Sequence, residues 1–375
     1  MNNEWIEWYI LWENSLNGDL LTSVIVPSYA YTYVKLKFLK KIIIDDETLR
    51  KLRILDDIEI LINTIKPFYP DINIQEYTIE EIETSLYETF FKLIGKIIFY
   101  SPENIRRFLK AYLLQFEIMN IKQCILGSIT GMSRDQKLNN INFLVEDLLG
   151  NTDFIRDLIE IRSLEEIQLY MKKTKYNKAT REGILYFKNN NEIFVLEAFL
   201  DQLFYINMIK QKNLYNKNEK ELINLYIDSI TEIYNLNIIF RGIRNNIDKN
   251  LLTQFLVKNF LFLDETKILH LLIQDNIEKF FSLIMQIYSN QKDIKSIYKK
   301  TGFRGDHFVW WIEGLYINYF FKKCKSKIGD IDYSTIFTIL EILIKKQKEI
   351  QFDIIPNVVR IIHKKFTQLE KGELT

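Results

Sequence analysis

The side chains able to do chemistry in this chain are dispersed. His270, His307 and His363 are its three histidines, and no two stand at a spacing that lets them share a metal on one helix face. Cys124 and Cys324 are too few for a disulfide framework or a four-ligand zinc site, and both sit in apolar, helix-patterned stretches that suit small buried thiols. Gly95-Lys96 lacks the earlier glycine and the hydroxyl residue of a phosphate loop. Lys299-Lys-Thr-Gly-Phe-Arg-Gly-Asp306 is basic and carries glycine, as an anion loop would, but no strand precedes it and a connection between helices is the simpler reading. The pairs Asp45-Asp46 and Asp56-Asp57 stand where helices begin, so they read as caps that meet the positive end of the helix dipole. No catalytic residue, metal ligand or cofactor site is expected, and the chain is not expected to be an enzyme.

The elements that position these groups are helices. Ser101-Pro-Glu-Asn opens one of them, with Ser101 placed to cap, Pro102 at the first helical position and Gly127 as its stop. Phe108, Tyr112, Leu113, Phe116 and Asn120 share one face of it. Asn120 is the polar member of an apolar stripe and calls for specific hydrogen-bond partners.

The whole chain is built from recurrences of such elements. An aspartate-led element appears at Asp46, Asp153 and Asp264. A short acidic and apolar element follows around Ile58, Ile167 and Ile277, and then a tyrosine, Tyr69, Tyr176 and Tyr288. A long aromatic helix comes third, with Glu83, Glu197 and Glu313 at matching places. The fourth element carries an asparagine, Asn120, Asn237 and Asn357. Glutamates repeated in all three copies argue for a structural role, since a single active site would occur once. Four elements in one order, three times over, mean a triplicated helical domain. The divisions expected are an aromatic extension over 1–26 and repeats over 27–136, 137–250 and 251–375. Lys172 to Glu192, rich in Asn and Lys, reads as a long connection. The aromatic extension reads as an extra docking helix, with a partner contact as the alternative.

Composition agrees. Only 12 glycines and 5 prolines punctuate 375 residues, too few turn residues for a many-stranded sandwich or barrel, so the fold class expected is all-α. The formal net charge is +1 with no basic stripe, which argues against nucleic acid as a partner. No uninterrupted apolar run reaches the length of a bilayer, so no transmembrane segment of its own is expected, and the chain reads as cytoplasmic.

These patterns resemble the C subunit of archaeal and bacterial V/A-type rotary ATPases, which is similar to the d subunit of eukaryotic vacuolar ATPases. Tyr29-Ala-Tyr-Thr-Tyr-Val-Lys-Leu-Lys-Phe-Leu39 resembles the family's opening helix, and Phe116-Glu117-Ile-Met-Asn120 its first signature, an acid three residues before Asn. Leu196-Glu197, Leu200-Asp201 and Phe204-Tyr205 resemble the second-domain pattern, closed by Asn237 and Arg241, although Tyr234 stands where an acid is usual. In the third copy Glu349 and Asn357 are not at the family spacing and Pro356 interrupts. The resemblance implies three similar helical domains arranged as a funnel about a pseudo-threefold axis. It implies a non-catalytic rotor subunit on the cytoplasmic, inner face of the membrane, peripheral to it. Its partners would be the central-stalk subunits and the proteolipid rotor ring, between which it would transmit torque. A helical protein-binding scaffold outside any rotary machine is the alternative.

Overall fold

The computed structural model describes residues 29–215, 217–325 and 329–370, and the aromatic segment 1–26 lies outside them. Among the described residues every regular element is helical, so the fold is all-α. The chain begins with α1 (Ala30–Leu39), then the short α2 (Asp46–Leu52) and α3 (Ile58–Ile65), and the long α4 (Ile79–Tyr100) and α5 (Glu103–Ile129). Next come α6 (Arg134–Asn139), α7 (Phe143–Leu149), α8 (Thr152–Glu160), α9 (Leu164–Met171), α10 (Asn177–Asn190), α11 (Ile193–Gln211) and α12 (Lys217–Arg244). The last run is α13 (Lys249–Phe255), α14 (Glu265–Leu272), α15 (Ile277–Asn290), α16 (Lys292–Thr301), α17 (Phe308–Lys325), α18 (Ile331–Lys348) and α19 (Ile355–Glu370). The divisions expected after residues 136 and 250 fall inside two short helices, α6 and α13.

The short helices start where their caps say they should. Asp45, Asp57 and Asp264 each accept a backbone N–H of the first turn, at 2.9–3.0 Å. The corner between α4 and α5 differs from the expectation. Pro102 holds the residue before it in extended backbone, so Ser101 closes α4 while Pro102 itself occupies the cap position of α5. The Ser101 hydroxyl is buried with no protein partner, and its carbonyl instead accepts from Arg106 Nε at 2.7 Å.

Gly127 does not stop α5 either. It lies inside the helix, where Lys137 crosses so closely that an added Cβ would meet Lys137 Cγ at 2.8 Å. The exit is Gly131, in the left-handed region at φ +73°, with Met132 N–H donating back to the Gly127 carbonyl at 2.8 Å. The end of α12 repeats this geometry. Asn246 takes φ +53°, Ile247 N–H donates to the Gly242 carbonyl at 2.9 Å, and Leu252 lies over Gly242 as Lys137 lies over Gly127.

Lys172 to Glu192 is not a plain connection, because α10 occupies most of it. Ala179, Thr180, Gly183 and Ile184 make a narrow buried face, and the Asn and Lys residues form the opposite, solvated one. Pro356 does not end the last helix. It sits at the second residue of α19, directly after a π-helical turn over Glu349–Ile354 whose wider register accommodates a residue without an N–H. The final helices then return to the first. Arg360 and Lys364 pair with Asp56 at 2.8 and 2.9 Å, Arg53 with Asp353 at 3.0 Å, and Lys40 with Glu341 at 2.5 Å.

Candidate functional site: buried glutamates around a central cavity

Three helices carry a buried glutamate toward the element that follows. Glu117 on α5, Glu232 on α12 and Glu349 at the end of α18 are all removed from water, a costly state for a carboxylate unless charges or N–H groups meet it. Each is met by residues two positions before a repeat aspartate. Asn151, two before Asp153, donates its side-chain amide to Glu117 at 2.6 Å. Phe262, two before Asp264, donates its backbone N–H to Glu232 at 3.0 Å, with Leu261 and Leu263 adding theirs at 2.6 and 3.1 Å. Ile44, two before Asp46, donates its backbone N–H to Glu349 at 2.9 Å.

The repeat tyrosines join the same three clusters. Tyr69 donates its hydroxyl to Glu349 at 3.2 Å, and Lys346 completes a buried ion pair with Glu349 at 2.7 Å. Burial pushes the Glu349 carboxyl up and the Lys346 amine down, while the pairing opposes both shifts. Tyr176 is buried near Glu117, its phenol raised by burial first and by that carboxylate second, and Lys175 pairs with Glu117 at 3.0 Å. Tyr288 shares a 2.6 Å hydrogen bond with Tyr316, whose hydroxyl also donates to Glu232. Each glutamate therefore ties a long helix to the start of the next set of short helices. The third of these ties, from Glu349, runs back to the first set across 305 residues.

The asparagines complete the frame. Asn120 donates to the Asn142 carbonyl and accepts from the Asn142 N–H, both at 3.1 Å. On α12 the residue doing this is Asn235, not Asn237. It donates to the Val257 carbonyl at 2.8 Å and accepts from the Val257 N–H at 2.9 Å, again 22 residues along. Asn237 leaves its side-chain oxygen buried and unpartnered. Matching Asn-Ile pairs set the register two residues late. The spacing of Glu117 to Asn120, read instead as Glu232 to Asn235, is the signal available in the sequence, and the acid missing at Tyr234 stands at Glu232. Asn357 plays neither part. It donates to the Asp353 carbonyl of its own helix at 2.6 Å, because the π turn inserts a residue and shifts the register that follows.

The remaining expected residues lie outside these clusters. Glu197 pairs with Arg241 at 3.1 Å, and the Arg241 guanidinium rests 4.6 Å from the Phe194 ring centre. Asp201 pairs with Lys122 at 2.6 Å, linking α11 to α5, with burial raising its carboxyl and Lys122 lowering it. Glu83 is half-buried on α4, its carboxyl raised by burial and then by Glu80. Glu313 is the recurring acid that lines the cavity where the three sets of long helices meet.

That cavity, about 140 Å³, lies where α5, α11, α12, α17 and α18 meet. Gln115, Ile230 and Gln347 line it, each two residues before one of the buried glutamates. Three helices thus present matching positions to one space. Among the described residues no group of His, Cys, Asp and Glu could hold a metal ion, and no helix is long and apolar enough to cross a membrane.

One further acid, Glu146 on α7, belongs to none of the recurring patterns. Asn120 donates to its Oε1 at 2.6 Å, while its Oε2 is buried with no protein partner. Burial pushes its carboxyl up to about 8. Because the folded value exceeds the ordinary 4.5, its contribution to stability is whole below pH 4.5 and is lost as pH rises through about 8. Glu146→Gln is expected to remove on the order of 3 kcal/mol of that decline. Denaturant midpoints of the two proteins compared between pH 5 and 9 measure it, and parallel pH curves would refute it.

The sequence profile of the ATP synthase (C/AC39) subunit matches residues 33–369. Relatives with recorded names agree with it. The C subunit of the A-type ATP synthase of Methanocaldococcus jannaschii is 22% identical over 280 residues, covering 72% of this chain and 66% of that one. Its counterpart from Pyrococcus furiosus is 21% identical over 232 residues, covering 61% and 60%, and that from Methanothermobacter thermautotrophicus 22% over 206 residues, covering 54% and 51%. The chain therefore spans between half and two thirds of the length of these relatives.

Proposed function

Because this chain belongs to the ATP synthase (C/AC39) subunit family, we propose that it is a non-catalytic rotor subunit of a V/A-type ion-translocating ATPase or ATP synthase. In this reading three helical repeats surround a pseudo-threefold axis and form a funnel. The funnel receives the end of the central stalk, and another surface seats on the proteolipid ring of the membrane, so that the protein is peripheral on the cytoplasmic face and carries torque between the two.

The observation that supports this best is the set of ties from Glu117, Glu232 and Glu349. The last connects residue 349 to residue 44, so elements far apart in sequence are held together. A part that transmits torque has to resist opening. Buried charge-assisted hydrogen bonds at each junction, in a close-packed aromatic core, provide that stiffness.

Mixing the purified protein with the central-stalk pair of the same organism, and measuring mass by size-exclusion chromatography with light scattering, tests the reading. A complex stable at moderate salt is expected. Absence of a complex at every salt concentration would overturn it and favour a helical scaffold for other protein partners.

A further inference from the structure

The three buried glutamates around the cavity are all met by protein groups, whereas the carboxylate that faces the cavity is not. Glu313 stands on α17 in the cavity wall, and among the described residues no hydrogen bond or ion pair engages it. The charged group facing it is Lys348 at the end of α18, half-exposed and beyond ion-pair distance. The other titratable groups around it are Tyr205 of α11, Tyr226 of α12 and Tyr316 of α17 itself, all held neutral by burial.

We propose that Glu313 is the recognition point of this cavity and takes a basic side chain, lysine or arginine, carried at the tip of a helical segment that seats over its mouth. The inference rests on the rotor reading above and names the contact by which the stalk end is recognised.

The rest of the wall fits such a guest. A cavity of about 140 Å³ has room for one long side chain rather than a folded segment, since a water's share of liquid volume is about 30 Å³. Phe204, Tyr205 and Phe352 give the wall aromatic surface for the methylenes, and Gln115 and Gln351, whose amide N–H groups donate to the Tyr112 carbonyl and the Tyr87 hydroxyl, keep their amide oxygens for its remaining N–H groups. Lys348, at a helix end and half-exposed, has the length to keep its own charge in water. Burial holds the empty carboxyl at about 7, despite the attraction of Lys348. An arriving cation favours the ionised form, so association is expected to tighten as pH rises through neutrality.

Affinity for the central-stalk pair of the same organism, measured at pH 6, 7 and 8.5 on the full chain, tests this. The wild type is expected to bind about tenfold more tightly at pH 8.5 than at pH 6, the effect of one charge-assisted contact. Glu313→Gln, equal in size, is expected to keep the pH 6 affinity throughout, and Glu313→Asp to regain part of the rise. If Glu313→Gln follows the wild type at every pH, the cation contact is wrong and the rotor reading stands. If the wild type does not bind the stalk pair at any pH, both fall. Equal thermal midpoints for the wild type and Glu313→Gln at pH 6 confine any difference to binding.

Discussion

Replacing Glu232 by alanine is expected to cost about 3–5 kcal/mol of stability, among the largest single-residue losses in this protein outside its apolar core. The reason is the number of donors it satisfies. Leu261, Phe262 and Leu263 point three backbone N–H groups at one carboxylate, and Tyr316 adds a hydroxyl. Alanine leaves the three N–H groups with nothing to accept, those of Phe262 and Leu263 buried, while Tyr316 keeps only Tyr288, and an orphaned buried donor costs about 1–3 kcal/mol. Glu232→Gln keeps an acceptor oxygen but brings an amide N–H₂ against N–H groups, so it recovers only part of the loss. Urea unfolding followed by tryptophan fluorescence measures both variants. A loss below about 1 kcal/mol for alanine would show that water replaces the carboxylate without difficulty.

The second expectation concerns the tie between the ends of the chain. Glu349→Ala removes the partner of a buried ammonium, Lys346, together with the acceptor for Ile44 N–H and the Tyr69 hydroxyl. Breaking one side of such a pair costs about 3–5 kcal/mol, whereas replacing both sides by apolar residues of similar volume is often neutral. The double variant Lys346→Met/Glu349→Leu is therefore expected to be much closer to the wild type than Glu349→Ala alone. Hydrogen exchange locates the effect. Protection should fall in residues 30–72 and 331–361 in the single variant, while α10, which lies away from this junction, keeps its own. Uniform loss over the chain would mean that this junction does not open separately from the rest.

Comparison of Glu117 with Glu349 explains why the two ends are not equivalent. Lys175, which pairs with Glu117, keeps more than half of its side chain in water, at 56% exposure, whereas Lys346 is 1% exposed. The chain-closing junction is thus the drier one. It is also the one that joins residues 305 apart, so it shares with the Asp56, Asp353 and Glu341 ion pairs the entropy of holding those ends together.

Much of this is present in the sequence. Few glycines and prolines, long apolar stripes and aspartate-led starts fix the helices, because capping and periodicity act over a few residues and need no knowledge of the rest. The recurrence of the aspartates, the tyrosines and the long aromatic helices is legible for the same reason, being a pattern in residue type and spacing. Local pattern does not say which acid meets which donor. It favours Asn237 over Glu232 and Asn235 because a helix offers similar residues at several nearby positions, and only the crossing of α12 over Val257 selects one of them. Tertiary contact also turns Gly127 from a helix stop into the place where Lys137 crosses, and makes a helix of the polar stretch around α10 by giving its narrow apolar face something to cover. The π turn that carries the chain past Pro356 belongs to the same class. A hydrogen bond from residue 44 to residue 349 contributes nothing to the local preferences of either segment, and it exists only because the whole chain closes.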